Sequence, residues 1–547
     1  MGESSYTPPK PTVKFPKHVI ADNSDDLVAA IDVGTSSTRL IVFNANGDML
    51  GSAQAEFEQL FPNPAEGWHE HNPFDISSQT FSCIEALADS APSLFIEGKI
   101  KGIGITNMRE TTIVWNAKTG LPYYNAIVWD DLRTANIASK MASDAPDGLG
   151  IDRFRDITGL PLSTYFSATK MRWLLENVPE LLQDLSKESN ERDNVRFGTV
   201  DTWLIYQLTG GKDDATYVTD VTNASRTLLM DLRTSDWDET LINAFFGDIV
   251  SFPTTTALPE IKSSSEVFCT CRPNHSSALH GVPISGILGD QQAALFGQAA
   301  VHPGEAKCTY GTGLFLMMNT GTACVPSTNG LLTTPAYQLG PDAEVVYALE
   351  GSVSHAGSVI QWLRDKLCII ESAVESAELA ESVPDNEGLY FVPAFAGLFA
   401  PYWRSDARGC IVGMTAGHHK GHICRAALEA SAFQARALLD AMNKDASSGI
   451  GLTTLKVDGG MTMNELLMDF QSNILGTKVV RPKVAETTAM GAAFAAGLAT
   501  GVWEDTEAIT KMWAIDKTWT PSMPKEIVEK YWKGWNKAVT KSLDWAE

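Results

Sequence analysis

The sequence predicts a mixed α/β protein of two related domains, and three observations carry that expectation. At 547 residues the chain exceeds what one ordinary core supports. Two strand–turn–strand units with Gly-Thr at the turn stand about half a chain apart, at Leu27–Leu50 and Ala306–Gly321. Around them, strand-like and helix-like segments alternate, the pattern of mixed α/β layers.

Residues 1–26, opening MGESSYTPPKPTVKFPKH, are polar and proline-rich and are expected to form a disordered tail. They lack the apolar stretch of a secretory signal, and Tyr6 stands where a myristoylation pattern needs Ser or Thr. LVAAIDVGTSSTRLIVFNANGDML follows: an apolar run ending at Asp32, a hydroxyl-rich turn, and a second run from Arg39, read as consecutive antiparallel strands. In GITNMRETTIVW, apolar residues on both sides read as strands, with Arg109 and Glu110 adjacent between them. Neighbouring side chains of a regular strand point to opposite faces, so both serve one site only if the backbone leaves the strand between Asn107 and Thr112. SGILG reads as a strand and DQQAALFGQA as a helix with an acidic start. AKCTYGTGLFLMMNTG repeats the first unit's design, LKVDGG is a strand, and MNELLMDFQSNIL an amphipathic helix. The Ala- and Gly-rich MGAAFAAGLATG is a buried helix. The expected domains are 27–296 and 297–547, with ligands in the cleft between them.

The formal net charge of −24 argues against nucleic acid or an anionic membrane as main partner, since either requires a basic face. No apolar run approaches the length of a membrane span. Eight scattered cysteines without CxxC spacing point to a reduced compartment.

GxxxxGK[ST], a complete GxGxxG turn and HExxH are all absent, so phosphate binding rests on the two Gly-Thr turns. Glycines let successive N–H groups face one concavity, hydroxyls add donors, and Arg39 supplies charge. Asp32, at a strand end, is placed to hold a magnesium ion directly or through water. Asp290 has two readings: an acid favoured at a helix N-terminus, or a general base. Arg109 and Glu110 likewise read either as an exposed ion pair or as a donor–acceptor grip on a small polyol.

Several stretches together resemble the FGGY carbohydrate kinases, from about Val28 to about Trp503. YFSATKMRWLLEN (165–177) and GCIVGMTAGHHKGHICRAALE (409–429) look like the family's two signatures. IDVGTSSTR and YGTG are similar to its phosphate loops, and VDGGMTMN to its adenosine segment. RETT at 109–112 and GDQQAALFGQ at 289–298 resemble the branch that acts on glycerol. The resemblance implies two duplicated actin-like, Hsp70-like (ribonuclease H-like) domains and ATP-dependent phosphorylation of glycerol to sn-glycerol 3-phosphate, with Mg2+. It implies Asp290 as the catalytic base and Arg109, Glu110, Tyr165, Asp290 and Gln291 on the glycerol hydroxyls, with Trp129 and Phe315 walling the carbon backbone. On the nucleotide it implies Thr35, Ser36, Ser37, Arg39, Thr312, Gly357, Gln361, Gly460 and Asn464, with Asp32 on the metal. It further implies a cytoplasmic homo-oligomer, dimer or tetramer, with glycerol and MgATP as small-molecule partners. Departures are modest: the first loop reads Val-Gly-Thr-Ser-Ser-Thr, and His69 stands where Val is commoner. Two competing classes are a kinase of the same fold for another polyol or a ketopentose, and a non-catalytic ATP-binding member.

Overall fold

The computed structural model describes residues 9–16, 26–213, 215–272, 277–395, 397–446, 451–452 and 454–546. The chain divides into two compact units. The first comprises residues 1–299, 334–346 and 486–512, and the second 300–333, 347–485 and 513–547.

The two units repeat one sheet design. In the first, the strands lie in the order Thr12–Lys14, Met49–Glu56, Ser37–Asn44, Leu27–Val33, Ile100–Asn107, Pro283–Gly289 and Ser265–Thr270. Leu27–Val33 pairs antiparallel with Ser37–Asn44 and parallel with Ile100–Asn107, which is itself parallel to Pro283–Gly289. In the second unit, Val346–Val353, Leu314–Gly321, Ala306–Tyr310, Thr454–Asp458, Lys478–Pro482 and Ile515–Trp519 follow in the same order. Their pairings match too: antiparallel, antiparallel, parallel, parallel, antiparallel. The duplication expected from the two Gly-Thr units is therefore a duplication of whole sheets. They differ in chain order at one edge, where Ser265–Thr270 precedes its neighbour and Ile515–Trp519 follows its own.

The strands read from the sequence sit where local pattern put them. Leu27–Val33 is buried throughout, as a strand covered on both faces must be, and its run of apolar residues ends at Asp32 and Val33. The helices Asp290–Gly297 and Glu465–Leu475 follow strand ends as expected, the latter capped by Asn464 on the Leu467 N–H. All eight cysteines are free thiols. Among the described residues, no helix is long and apolar enough to cross a membrane.

Two expectations change. Part of the expected tail is ordered: Thr12–Lys14 pairs antiparallel with Met49–Glu56 as an edge strand, because Val13 finds apolar partners in the first unit's core. Residues 1–8 and 17–25 of that tail lie outside the described residues. The domain boundary at 296/297 is also too simple, since residues 334–346 and 486–512 go with the first unit. The reason lies in the helix Thr487–Ala499. It packs so closely on the first unit that a Cβ at Gly104 would fall on the Ala492 carbonyl, and one at Gly491 on the Ala293 carbonyl. A helix apolar on every side must be buried on every side, and small residues let its backbone approach its neighbours.

Candidate active site

The first unit answers the question raised by Arg109 and Glu110. The ladder of Ile100–Asn107 ends with Met108 N–H bonding the Val33 carbonyl, and Thr111 N–H then turns back to the Arg109 carbonyl at 2.6 Å. Glu110, between them, has φ of +60°, so the backbone makes a γ-turn in the left-handed region. Such a conformation costs roughly 1–3 kcal/mol and persists only where its surroundings hold it. They do: the Glu110 carbonyl accepts from both the Thr112 and Ser167 hydroxyls, each at 3.0 Å.

Neither side chain is an exposed ion pair, for Arg109 is 2% and Glu110 1% exposed. Arg109 donates to Gln292 Oε1 at 3.1 Å and to the Tyr165 hydroxyl at 3.4 Å. Its Nε lies 3.3 Å from Asp290 Oδ1 and 3.8 Å from Glu110 Oε1. Glu110 Oε1 accepts from Arg226 Nε at 2.6 Å, and Arg226 is wholly buried, with its guanidinium over the Tyr165 and Phe166 rings. Burying charges is tolerated because each one is compensated here.

Asp290 starts its helix and accepts from the Gln291 N–H at 2.7 Å, so it does act as a helix-terminal acid. It also keeps its side chain 28% exposed beside the buried Arg109. Gly289 before it is required by close approach: a Cβ there would lie 2.7 Å from Arg109 Cγ and Cδ. Its N–H is fixed by the Thr222 hydroxyl at 2.9 Å, which in turn bonds the buried Asp220 carboxylate. Gln291, buried, follows Asp290 in the same first turn.

The first Gly-Thr turn adjoins this cluster. Trp129 donates its indole N–H to Thr35 Oγ1 at 3.0 Å while its ring meets Tyr165 edge-on at 5.6 Å. One residue thus ties the expected polyol wall to the loop. Ser36 is exposed, and the Ser37 hydroxyl accepts from Gln54 at 3.2 Å. Arg39 bridges two carboxylates, Asp32 at 2.6 Å and Glu486 at 2.5 Å. Burial pushes the Asp32 carboxyl above its ordinary value; Arg39 pulls it down, while Glu486 and Asp290 push it up.

Among the described residues, no three His, Cys, Asp or Glu side chains are grouped to cage a metal ion. Mg2+ needs no such cage, because it keeps several waters and binds one or two carboxylates together with substrate phosphates. Asp32, a buried carboxylate paired with Arg39, is a hard-oxygen donor of that kind.

The second unit brings together the remaining residues expected at the nucleotide. Thr312, Gly357, Gln361, Gly460 and Asn464 line one cavity of about 510 Å3, with Tyr310, Gly311 and Arg364 and the apolar Ile360, Val374, Leu428, Met461 and Met463. That volume suits a small-molecule site. The loop carbonyls are used up: Gly311 accepts from Gly357 N–H, and Thr312 from the N–H groups of Ala356 and Ser358. Phe315 lies on this unit's Leu314–Gly321 strand, half-buried, opposite Thr309 and Ser352.

Sequence reasoning missed Arg226, Gln292, Lys170 and Glu486. A signal existed for Arg226, the one charge in the small-polar TNASRT stretch, and for Glu486, immediately before the Ala-rich helix.

The models of the N-terminal and C-terminal domains of the FGGY family of carbohydrate kinases match residues 27–297 and 306–500. A glycerol kinase of Clavibacter michiganensis is 53% identical over 524 residues, covering 96% of this chain and 99% of its own. One of Saccharopolyspora erythraea is 54% identical over 521 residues, with 95% and 99% covered. The crystal structure of Plasmodium falciparum glycerol kinase with ADP matches with a TM-score of 0.85 at 38% identity, covering 95% of this chain and 98% of that one. With both domain models matched over most of its length, the chain belongs to the FGGY family of carbohydrate kinases.

Proposed function

We propose that this protein transfers the γ-phosphoryl group of ATP to a terminal hydroxyl of glycerol, giving sn-glycerol 3-phosphate and ADP, a step that serves glycerol catabolism and glycerolipid precursor supply. The observation that carries the reading is the buried Arg109–Glu110 turn with Arg226, Tyr165 and Asp290 around it. A neutral polyol offers donors and acceptors but no charge, so its pocket needs charged groups that already balance one another. The 53% identical relative named for glycerol supports the substrate.

In this reading Arg109, Glu110, Tyr165 and Gln291 bind the hydroxyls, and Trp129 and Phe315 cover the C–H edges. The terminal oxygen attacks the γ-phosphorus in line, its proton passes to Asp290, and the bond to the ADP oxygen breaks. Thr35, Ser36, Ser37, Arg39 and Thr312 hold phosphates, while Gly357, Gln361, Gly460 and Asn464 hold the nucleoside. Asp32 would hold Mg2+, which would supply charge neutralisation for the transferring phosphoryl. Such transfer asks mainly for positioning and electrostatics. The homo-oligomeric state expected from the family is checked by sedimentation.

The test is ADP formation from MgATP with glycerol, xylulose, gluconate and erythritol added separately. Strong stimulation by glycerol alone is expected. Activity with another compound and none with glycerol keeps phosphoryl transfer and overturns the polyol assignment.

A further inference from the structure

Lys170 is a fully buried charge of the first unit. It belongs to the first turn of the helix Ser167–Asn177, yet no carboxylate among the described residues lies within ion-pair distance. Its Nζ instead donates to two main-chain carbonyls just ahead of the helix, Thr164 and Tyr165, each at 2.7 Å. Two effects oppose a cation there: desolvation, and the positive end of the helix dipole. An apolar side chain of similar length would avoid both costs, so the charge calls for a reason beyond filling space.

The reason lies in what those carbonyls belong to. Tyr165 receives the Arg109 guanidinium on its hydroxyl, faces Trp129 edge-on, and lies under the Arg226 guanidinium. All three of those contacts turn on where the Tyr165 backbone sits. We propose that Lys170 is a positioning residue for the polyol: its ammonium clamps the Thr164 and Tyr165 carbonyls and so sets the Tyr165 ring against Arg109 and Trp129. The role rests on the glycerol reading above.

The groups that face Lys170 electrostatically are Glu110, Asp131 and Asp130, which favour its charge, and Arg133, which opposes it. Arg133 is itself matched by Asp131 and Glu70, and Glu110 by Arg226. Burial outweighs these and brings the ammonium down to about 8. The clamp should therefore loosen as pH rises through that value, because a neutral amine donates weaker hydrogen bonds than an ammonium.

The experiment is calorimetric titration of the full chain with glycerol, and separately with ADP, across about pH 6 to 10, for wild type, K170M and K170R. Expected is a wild-type glycerol Kd that rises through pH 8. K170M should bind glycerol about tenfold more weakly at neutral pH, a part of what its two charge-assisted hydrogen bonds are worth, with no pH dependence there. K170R, charged throughout, should hold glycerol with a flat profile, and ADP binding should be unchanged in all three. A K170M chain matching wild type in glycerol affinity and pH profile overturns the role, as does one losing glycerol and ADP binding equally. If K170M does not fold, K170Q replaces it, and a K170Q chain matching wild type in glycerol affinity overturns the role. A wild type that binds ADP but no glycerol at any pH overturns the glycerol reading, and this role with it.

Discussion

Arg226→Met removes the guanidinium that lies 2.6 Å from Glu110 Oε1, with the two side chains 0% and 2% exposed. Breaking a buried pair by deleting one partner costs about 3–5 kcal/mol, since it strands an uncompensated charge. Arg109 Nε, 3.8 Å from the same oxygen, retains part of the compensation, which puts the loss at the low end, about 3 kcal/mol. If Glu110 reads glycerol hydroxyls, holding it ionised and in place draws on the same energy, and glycerol affinity should fall by about a hundredfold. Chemical unfolding followed by tryptophan fluorescence measures the first quantity and calorimetric titration the second. The double variant Glu110→Gln/Arg226→Met separates them: with no charge left stranded, stability should recover to within about 1 kcal/mol of wild type, while glycerol binding stays lost. A single variant as stable as wild type, or a double variant no more stable than the single, would refute the argument that Arg226 compensates Glu110.

Asp290→Asn should lose about 10²–10⁴-fold in turnover, the usual worth of a general base, with glycerol affinity retained; near-normal turnover removes Asp290 from that role. His71 provides a pH test. Burial, aided by His69, pulls its imidazole from 6.5 to about 4. Between those values the unfolded chain binds a proton that the folded chain does not, so its contribution to stability is complete above about pH 6.5 and is lost as pH falls toward 4. His71→Asn should flatten the stability–pH slope in that window by up to about 1.4 kcal/mol per unit, and an unchanged slope by urea unfolding counts against it. Gly491→Ala, whose Cβ would meet the Ala293 backbone, should cost about 1–3 kcal/mol or more. Gly451→Ala, with open space around it, should stay within about 0.5 kcal/mol; equal thermal shifts for the two would contradict the close-packing account.

Local chemistry alone determined the duplicated design. Apolar runs broken by Gly-Thr turns announce strand–turn–strand units wherever they occur, and both units proved to sit at the same place in matching sheets. The grouping of the residues expected at the nucleotide in the second unit was legible for the same reason: Thr312, Gly357, Gln361, Gly460 and Asn464 belong to short motifs whose backbone shape is set by neighbours in sequence, and they line one cavity. The Ala- and Gly-rich run at Thr487–Ala499 declared itself buried, but nothing in its composition says against which sheet, so its membership of the first unit escaped notice. Charge compensation was equally silent. Glu110 meets Arg226 across 116 positions, and Arg39 meets Glu486 across 447. A buried charge must find a partner, but which one it finds depends on distance in space. Only the tertiary structure could decide that Arg109 and Glu110 belong to one buried cluster rather than to a surface ion pair, because their shared side of the chain is created by a γ-turn that packing holds in place.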